Sequence, residues 1–277
     1  MRVRALCLLA TLAACQRPAE TPPPEPTPTT APRATPAPAP SAGQAGESPP
    51  PLRLEPLAAE ASQSFVEIRF PIAEQRITSE KAADYKVRLK SEGAGTLWLA
   101  LDEHRPRSVA RVDKTVTLSE LVPADVDLAE GEHWLTAALV AEGGVLPQAP
   151  AEASRKPFAA LRFWVGQRGA RGEPAPRVVL LSPGGTYNGP DARVLIQAVA
   201  LHVPVEGLAA DGFRVSLVGA GRQGALALPA PAAVVAPELP SGDYRVEVKL
   251  VGSKGDVLAT AVRDIVVNRD AVTDRRE

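Results

Sequence analysis

Two cysteines, three histidines and two glycine-rich motifs are the places where this 277-residue chain carries residue types suited to chemistry. Asp102-Glu103-His104 follows the apolar run Leu97 to Leu101, and such a cluster can contribute metal ligands, although a polar loop is its commoner meaning. His104, His133 and His202 are far apart in sequence, and no H-E-x-x-H is present. No serine sits in G-x-S-x-G and none has a lysine three residues later, so the local signatures of serine hydrolases and penicillin-binding proteins are missing. Carboxylate pairs of the glycosidase kind depend on the fold to meet, and nothing in the sequence points to one. Gly219-Ala-Gly221-Arg-Gln-Gly224 matches G-x-G-x-x-G and follows a predicted strand. That motif works by setting pyrophosphate at a helix N-terminus, and Pro229 and Pro231 forbid the helix, so the segment reads as a hairpin loop. Ser182-Pro-Gly-Gly reads as a turn and not a phosphate cradle. No catalytic residue, metal ligand or cofactor is assigned.

Net charge is −1, with acidic and basic residues interspersed along the chain. No basic stripe is evident, so nucleic acid is not expected as a partner. Both cysteines, Cys7 and Cys15, lie in the first fifteen residues. The rest of the chain therefore forms no disulfide or thiolate metal site and must be held by apolar burial. Met1-Arg-Val-Arg is a short positive segment, and Ala5 to Ala14 is an uncharged apolar run too short to span a bilayer, which takes about 20 residues. It ends in Leu12-Ala13-Ala14-Cys15, which resembles the lipobox of bacterial lipoproteins. The resemblance implies a signal peptide over 1–14, cleavage before Cys15, and lipid on the Cys15 sulfur and the new amino group. Two or more acyl chains anchor a protein stably. Gln16, where that family's inner-membrane members carry Asp, implies the outer membrane.

Residues 15–52 are expected to be the tether. From Gln16 to Pro51 there is no Val, Ile, Leu, Met, Phe, Trp or Tyr, and Pro, Ala, Thr and Glu dominate. Such a stretch cannot offset its ordering entropy. Proline makes it stiff, with a reach on the order of 100 Å at about 3.1 Å per residue. It is read as a spacer, or as a passive linker of no particular length.

Short alternating runs then follow, separated by turn residues. Tyr244-Arg-Val-Glu-Val-Lys-Leu250 places Tyr244, Val246, Val248 and Leu250 on one strand face. The segment Leu128-Ala-Glu-Gly131-Glu-His133 through Val140 aligns with Leu239-Pro-Ser-Gly242-Asp-Tyr244 through Val251, so the chain contains two similar halves. Each half opens with a strand that meets a proline, Phe70-Pro71 and Ser182-Pro183. The Leu-x-x-Gly-x-Tyr pattern resembles the corner before strand F of immunoglobulin-like domains, whose tyrosine hydroxyl bonds back to nearby backbone. The resemblance implies an all-β chain of two tandem Ig-like antiparallel sandwiches, with Tyr244 at one corner and His133 standing in its place at the other. The expected boundaries are 53–166 for the first sandwich, 167–176 for a linker, 177–268 for the second sandwich and 269–277 for a charged tail. The two linker arginines, Arg168 and Arg171, are read as parts of a solvated connector.

If Leu97, Leu99 and Leu101 face the core, Trp98 faces away from it. The same alternation turns Trp134, Trp164 and Phe158 outward, and strands C, F and G share one sheet in Ig-like domains. All three tryptophans of the protein are thus expected on one outer face. Exposed aromatic clusters mark contacts with protein or sugar. Two covers are possible for that face: a short helix beginning at Leu54, or the second sandwich itself. The sequence-level reading is a non-catalytic interaction module held at the envelope by lipid, contacting a protein or glycan there. A purely structural spacer and an enzyme with a loop-built site near Asp102 are the alternatives.

Overall fold

Alternating apolar and polar residues build most strands of this chain, and glycine or proline turns separate them. The computed structural model describes residues 49–109, 115–148, 155–169, 172–203 and 207–271. The lipobox, Cys15 and the tether up to residue 48 lie outside the described residues, as does the tail from 272.

The chain is all-β, with two sandwiches of the same strand order. In the first, β2 (Phe65–Phe70), β4 (Lys86–Glu92) and β7 (Val116–Thr117) form one sheet. The other runs β3 (Arg76–Ile77), β9 (Phe158–Val165), β8 (Gly131–Val140), β5 (Thr96–Leu101) and β6 (Arg107–Val109). In the second sandwich, β10 (Arg177–Ser182), β12 (Val194–Leu201) and β15 (Ala233–Ala236) match the first sheet. Their partner sheet runs β11 (Thr186–Asn188), β17 (Val257–Asn268), β16 (Gly242–Gly252), β13 (Leu208–Gly219) and β14 (Arg222–Leu228). In Ig terms both read A-B-E against A′-G-F-C-C′, with the short A′ strand parallel to G in each. The Gly219–Gly224 motif is the β13–β14 hairpin. Ala220 and Gly221 both have positive φ, +49° and +70°, as a two-residue turn of the primed type requires.

The inward faces fall where alternation puts them. Leu97, Leu99, Leu101, Leu135, Ala137 and Phe163 are buried in one core, and Tyr244, Val246, Val248 and Leu250 in the other.

The beginning of the described chain departs from expectation. Residues 53 onward are expected in the first sandwich, with a short helix from Leu54 as one possible cover for its aromatic face. Instead β1 (Glu55–Leu57) pairs antiparallel with β15 and extends a sheet of the second sandwich. Leu52, expected in the tether, is only 6% exposed in the second core, and its N–H donates to the Gln223 carbonyl at 2.8 Å. Leu52 and Leu54, two residues apart, both pack on that core, which is a strand period and not a helical one. Pro56 is tolerated because β1 is an edge strand with no ladder on its far side.

Candidate functional site

The aromatic face was the expected contact surface, and β5, β8 and β9 do bring its residues to one sheet side. It is not open. Trp134 is 2% exposed and Trp164 6%, while Trp98 and Phe158 are half-buried. Trp98, Trp134 and Phe158 pack against Val179 and Leu181 of β10 and Val199 and Leu201 of β12, so the second sandwich covers them. Trp164 is capped by Gly169, where a Cβ would come within 2.7 Å of its ring, and by the Arg162 guanidinium at 5.8 Å. The contact-surface expectation for Trp98, Trp134, Trp164 and Phe158 is therefore corrected. Burying this much aromatic area is favourable, and the neighbouring strands offered an apolar face to do it.

Polar groups frame this seam. The Trp134 Nε1–H donates to Glu132 at 2.7 Å. Arg177 of the second sandwich lies over the Trp134 ring at 5.5 Å and within 3.9 Å of the Glu132 carboxylate. His202 meets the same ring edge-on, centroids 4.8 Å apart. Burial first, then the charges of Arg162 and Arg177, hold His202 below the ordinary histidine pKa, which favours the neutral ring there. Buried Gln197 accepts from the Leu146 N–H across the seam at 2.7 Å. Arg105 donates to the Gly184 carbonyl, and its guanidinium lies so close to Gly185 that a Cβ there would sit 2.5 Å from Nη1. The Ser182-Pro-Gly-Gly turn is thus a socket for an arginine of the other sandwich.

The two corners make matching bonds. The Tyr244 hydroxyl donates to the Pro240 carbonyl, four residues back, at 2.9 Å. His133 Nε2 makes the matching bond to the Ala129 carbonyl, also four residues back, at 2.8 Å. Its Nδ1 lies 2.7 Å from Asp102 Oδ2, and Asp102 Oδ1 accepts the Trp134 backbone N–H at 2.7 Å. Asp102 reaches both by adopting φ +53°, a conformation aspartate tolerates better than most residues. Because both ring partners are acceptors, both bonds exist together only when the imidazole is doubly protonated. Burial pulls the His133 pKa down, but the bonds to Asp102 and Ala129 and the charges of Asp102 and Glu132 outweigh it and hold the value above the ordinary one.

This bonding decides the chemistry of the Asp102 cluster. An Asp–His pair serves as a general base only if the second ring nitrogen can reach a substrate, and here that nitrogen is spent on a backbone carbonyl. Asp102 has both oxygens engaged, and Glu103 points to solvent with 87% of its side chain exposed. Among the described residues no three His, Cys, Asp or Glu side chains gather as a metal site.

Glu132, Arg177, Gln197 and Arg105 were not singled out in the sequence, and His202 was noted only as a histidine far from the other two. A signal for the seam was present: Val178-Val-Leu-Leu181 and Val194-Leu-Ile-Gln-Ala-Val-Ala-Leu201 are nearly continuous apolar runs, which mark strands buried on both faces.

No known family profile matches the chain, and no curated protein matches it. Among solved structures it is similar to fibronectin(III)-like modules of Clostridium thermocellum CbhA, with TM-score 0.27, 16% identity, and 77% of this chain and 99% of that chain covered. It is similar to a bacterial ice-binding adhesin, with TM-score 0.23, 10% identity, and coverage of 80% and 67%. It is also similar to the Bacteroides ovatus mixed-linkage glucan protein SGBP-B, with TM-score 0.22, 12% identity, and coverage of 73% and 47%.

Proposed function

We propose that this chain is an exported, lipid-anchored envelope protein whose two Ig-like sandwiches work as one non-catalytic contact module. The contact half rests on the surface that the seam leaves uncovered. With Trp98, Trp134 and Phe158 consumed in joining the sandwiches, the surface left to meet a partner consists of the outer sheet faces and the loops. The bonding of His133 supports a structural role for the one histidine–carboxylate pair of the Asp102 cluster. The anchor half rests on Leu12-Ala13-Ala14-Cys15 and the proline-rich segment after it.

A second reading, a rigid spacer with no ligand of its own, is favoured by the same buried tryptophans, since an open aromatic face would have argued for recognition.

Cys15→Ser tests the anchor. The wild-type chain is expected in the membrane fraction and labelled by radioactive fatty acid, and the variant in neither state. Unchanged fractionation and labelling would refute lipid attachment at Cys15.

A further inference from the structure

The first sandwich has a second outer face, on the β2-β4-β7 sheet, and its chemistry is unlike that of the seam. Along β4 the core takes Val87 and Leu89, so Lys86, Arg88 and Lys90 all point outward. Spacing along the strand puts them about 6.8 Å apart, at roughly 3.4 Å per residue. Arg69 at the end of β2 joins them, with exposed Arg155 and Lys156 beyond. Among the described residues none of these six cations has a carboxylate within 4.0 Å, whereas Arg162, Arg168, Arg177, Arg214 and Lys249 elsewhere all do. Glu67 and Glu92 are the face's own carboxylates, so cations outnumber them. Chain order hides this grouping, because a residue of the other face separates each cation from the next.

The cations lie over aromatic rings. Arg155 and Lys90 sit 4.5 and 5.6 Å from the centroid of Phe65, and Arg88 sits 5.6 Å from that of Phe70. Phe70 is the exception to the burial of aromatics, being 42% exposed. It borders an open groove of about 580 Å3 that Tyr85, Glu80 and Asp84 also line. The fold does not require this composition. The equivalent face of the second sandwich carries Val179, Leu181, Val199 and Leu201.

We propose that this face binds an acidic polysaccharide. The cations of β4 would meet the chain's anionic groups, and Phe70 would offer an apolar platform to the face of one sugar ring. Tyr85, Glu80 and Asp84 would take hydroxyl hydrogen bonds in the groove. A glycan fits better than nucleic acid because carboxylates are interleaved with the cations, which suits a polymer with sparser charge than one phosphate per nucleotide. It fits better than an anionic bilayer because Phe65 is covered at 4% exposure. The exposed apolar side chains nearby, Phe70 and Ile72, are too small an area for insertion, with Glu80 and Asp84 beside Phe70 in the groove. The inference deepens the contact reading above and rests on it.

The test uses the full chain and four probes: polygalacturonate oligomers, the same oligomers with carboxylates reduced to alcohols, phosphatidylglycerol vesicles, and single-stranded DNA of matched charge. The uronate oligomers are expected to bind, with affinity falling as salt rises, and the reduced oligomers to bind at least tenfold more weakly. The triple variant K86E/R88E/K90E is expected to weaken uronate binding at least tenfold. F70S is expected to weaken it about threefold with the salt slope unchanged. These side chains are exposed, and a milder K86Q/R88Q/K90Q variant covers any folding defect in the charge reversal. Arg214→Glu on the second sandwich is expected to leave binding unchanged. Absence of uronate binding, equal binding by the folded charge variants, or tighter binding of vesicles or DNA overturns the proposal. If uronate fails while crosslinking in intact envelope still captures a protein partner, only the glycan assignment falls and the contact reading stands.

Discussion

Trp134→Ala probes the seam at its centre. A buried tryptophan withdraws on the order of 200 Å2 from water. At about 25 cal/mol per Å2 that is roughly 5 kcal/mol, of which the remaining alanine methyl keeps about 0.8. The edge contact with His202 and the guanidinium of Arg177 add about 1 kcal/mol together. Water entering from the rim, where Glu132 can be rehydrated, takes back a similar amount. The expected loss is therefore about 4 kcal/mol, within the usual range for an aromatic-to-alanine change in a core. For a folded part of this size that lowers the melting temperature by roughly 8–16 °C. Calorimetry and urea titration followed by circular dichroism would measure it. If the seam makes the sandwiches one cooperative unit, the wild-type chain melts in one transition and the variant in two. Leu181→Ala, 3% exposed on the opposite wall, should cost about 3 kcal/mol. Because the two side chains share the seam, the double variant should lose less than the sum. A loss below about 1 kcal/mol for Trp134→Ala, with additive behaviour and an unaltered transition, would refute the claim that the seam joins the modules.

Two further outcomes follow from the corner and the N-terminal strand. His133 has a folded pKa raised above its unfolded value of about 6.5, so its stabilisation is complete below that pH and fades as pH rises through the folded value. His133→Tyr, which supplies a donor to the Ala129 carbonyl as Tyr244 does for Pro240, should remove this slope. The stability of wild type minus variant, by urea titration, is expected to fall as pH rises above about 6.5 and through the raised folded value; a difference constant with pH would contradict it. His202 titrates in the opposite sense in both proteins and cancels in the subtraction. Leu52→Ala in the second core should cost about 2–3 kcal/mol, read as a lowered midpoint of the single urea transition. A change below about 0.5 kcal/mol would mean that Leu52 is not part of that core.

The corners were legible because they depend on local spacing: Leu128-x-x-Gly131-x-His133 and Leu239-x-x-Gly242-x-Tyr244 fix a crossing within six residues. Strand faces were legible for a similar reason, since a period of two assigns Leu97, Leu99 and Leu101 one side without knowledge of the partner sheet. What covers a face is a long-range question. Trp98 and Trp134 pointing away from their own core is a local fact, but their burial depends on Val179 and Val199, which alternation alone assigns to no particular neighbour. The destination of Leu52 was equally hidden. Three leucines in Leu52-Arg-Leu54-Glu-Pro-Leu57 fit a strand edge, yet the edge they join belongs to residues almost two hundred positions later. The basic face escaped because charge was weighed along the chain, where Lys86, Arg88 and Lys90 alternate with apolar residues, and not by strand face.

The seam has the form of a contact that could recur between copies of this chain. It joins the outer β5-β8-β9 face of one sandwich to the outer β10-β12 face of the other, so it is heterologous, and a heterologous contact repeats without closure unless its ends differ. Both ends do differ. On the second sandwich Arg245 stands where the first has Trp134, and Val266 where it has Trp164, so the face that would continue the row has lost its aromatic knobs. On the first sandwich Lys86, Arg88 and Lys90 stand where a third module would need apolar residues like Val199 and Leu201. Desolvating three unpaired cations against a tryptophan face would cost several kcal/mol. The same charges therefore keep that sheet in water, and the surface that disfavours another copy of this chain remains open to a partner of opposite charge.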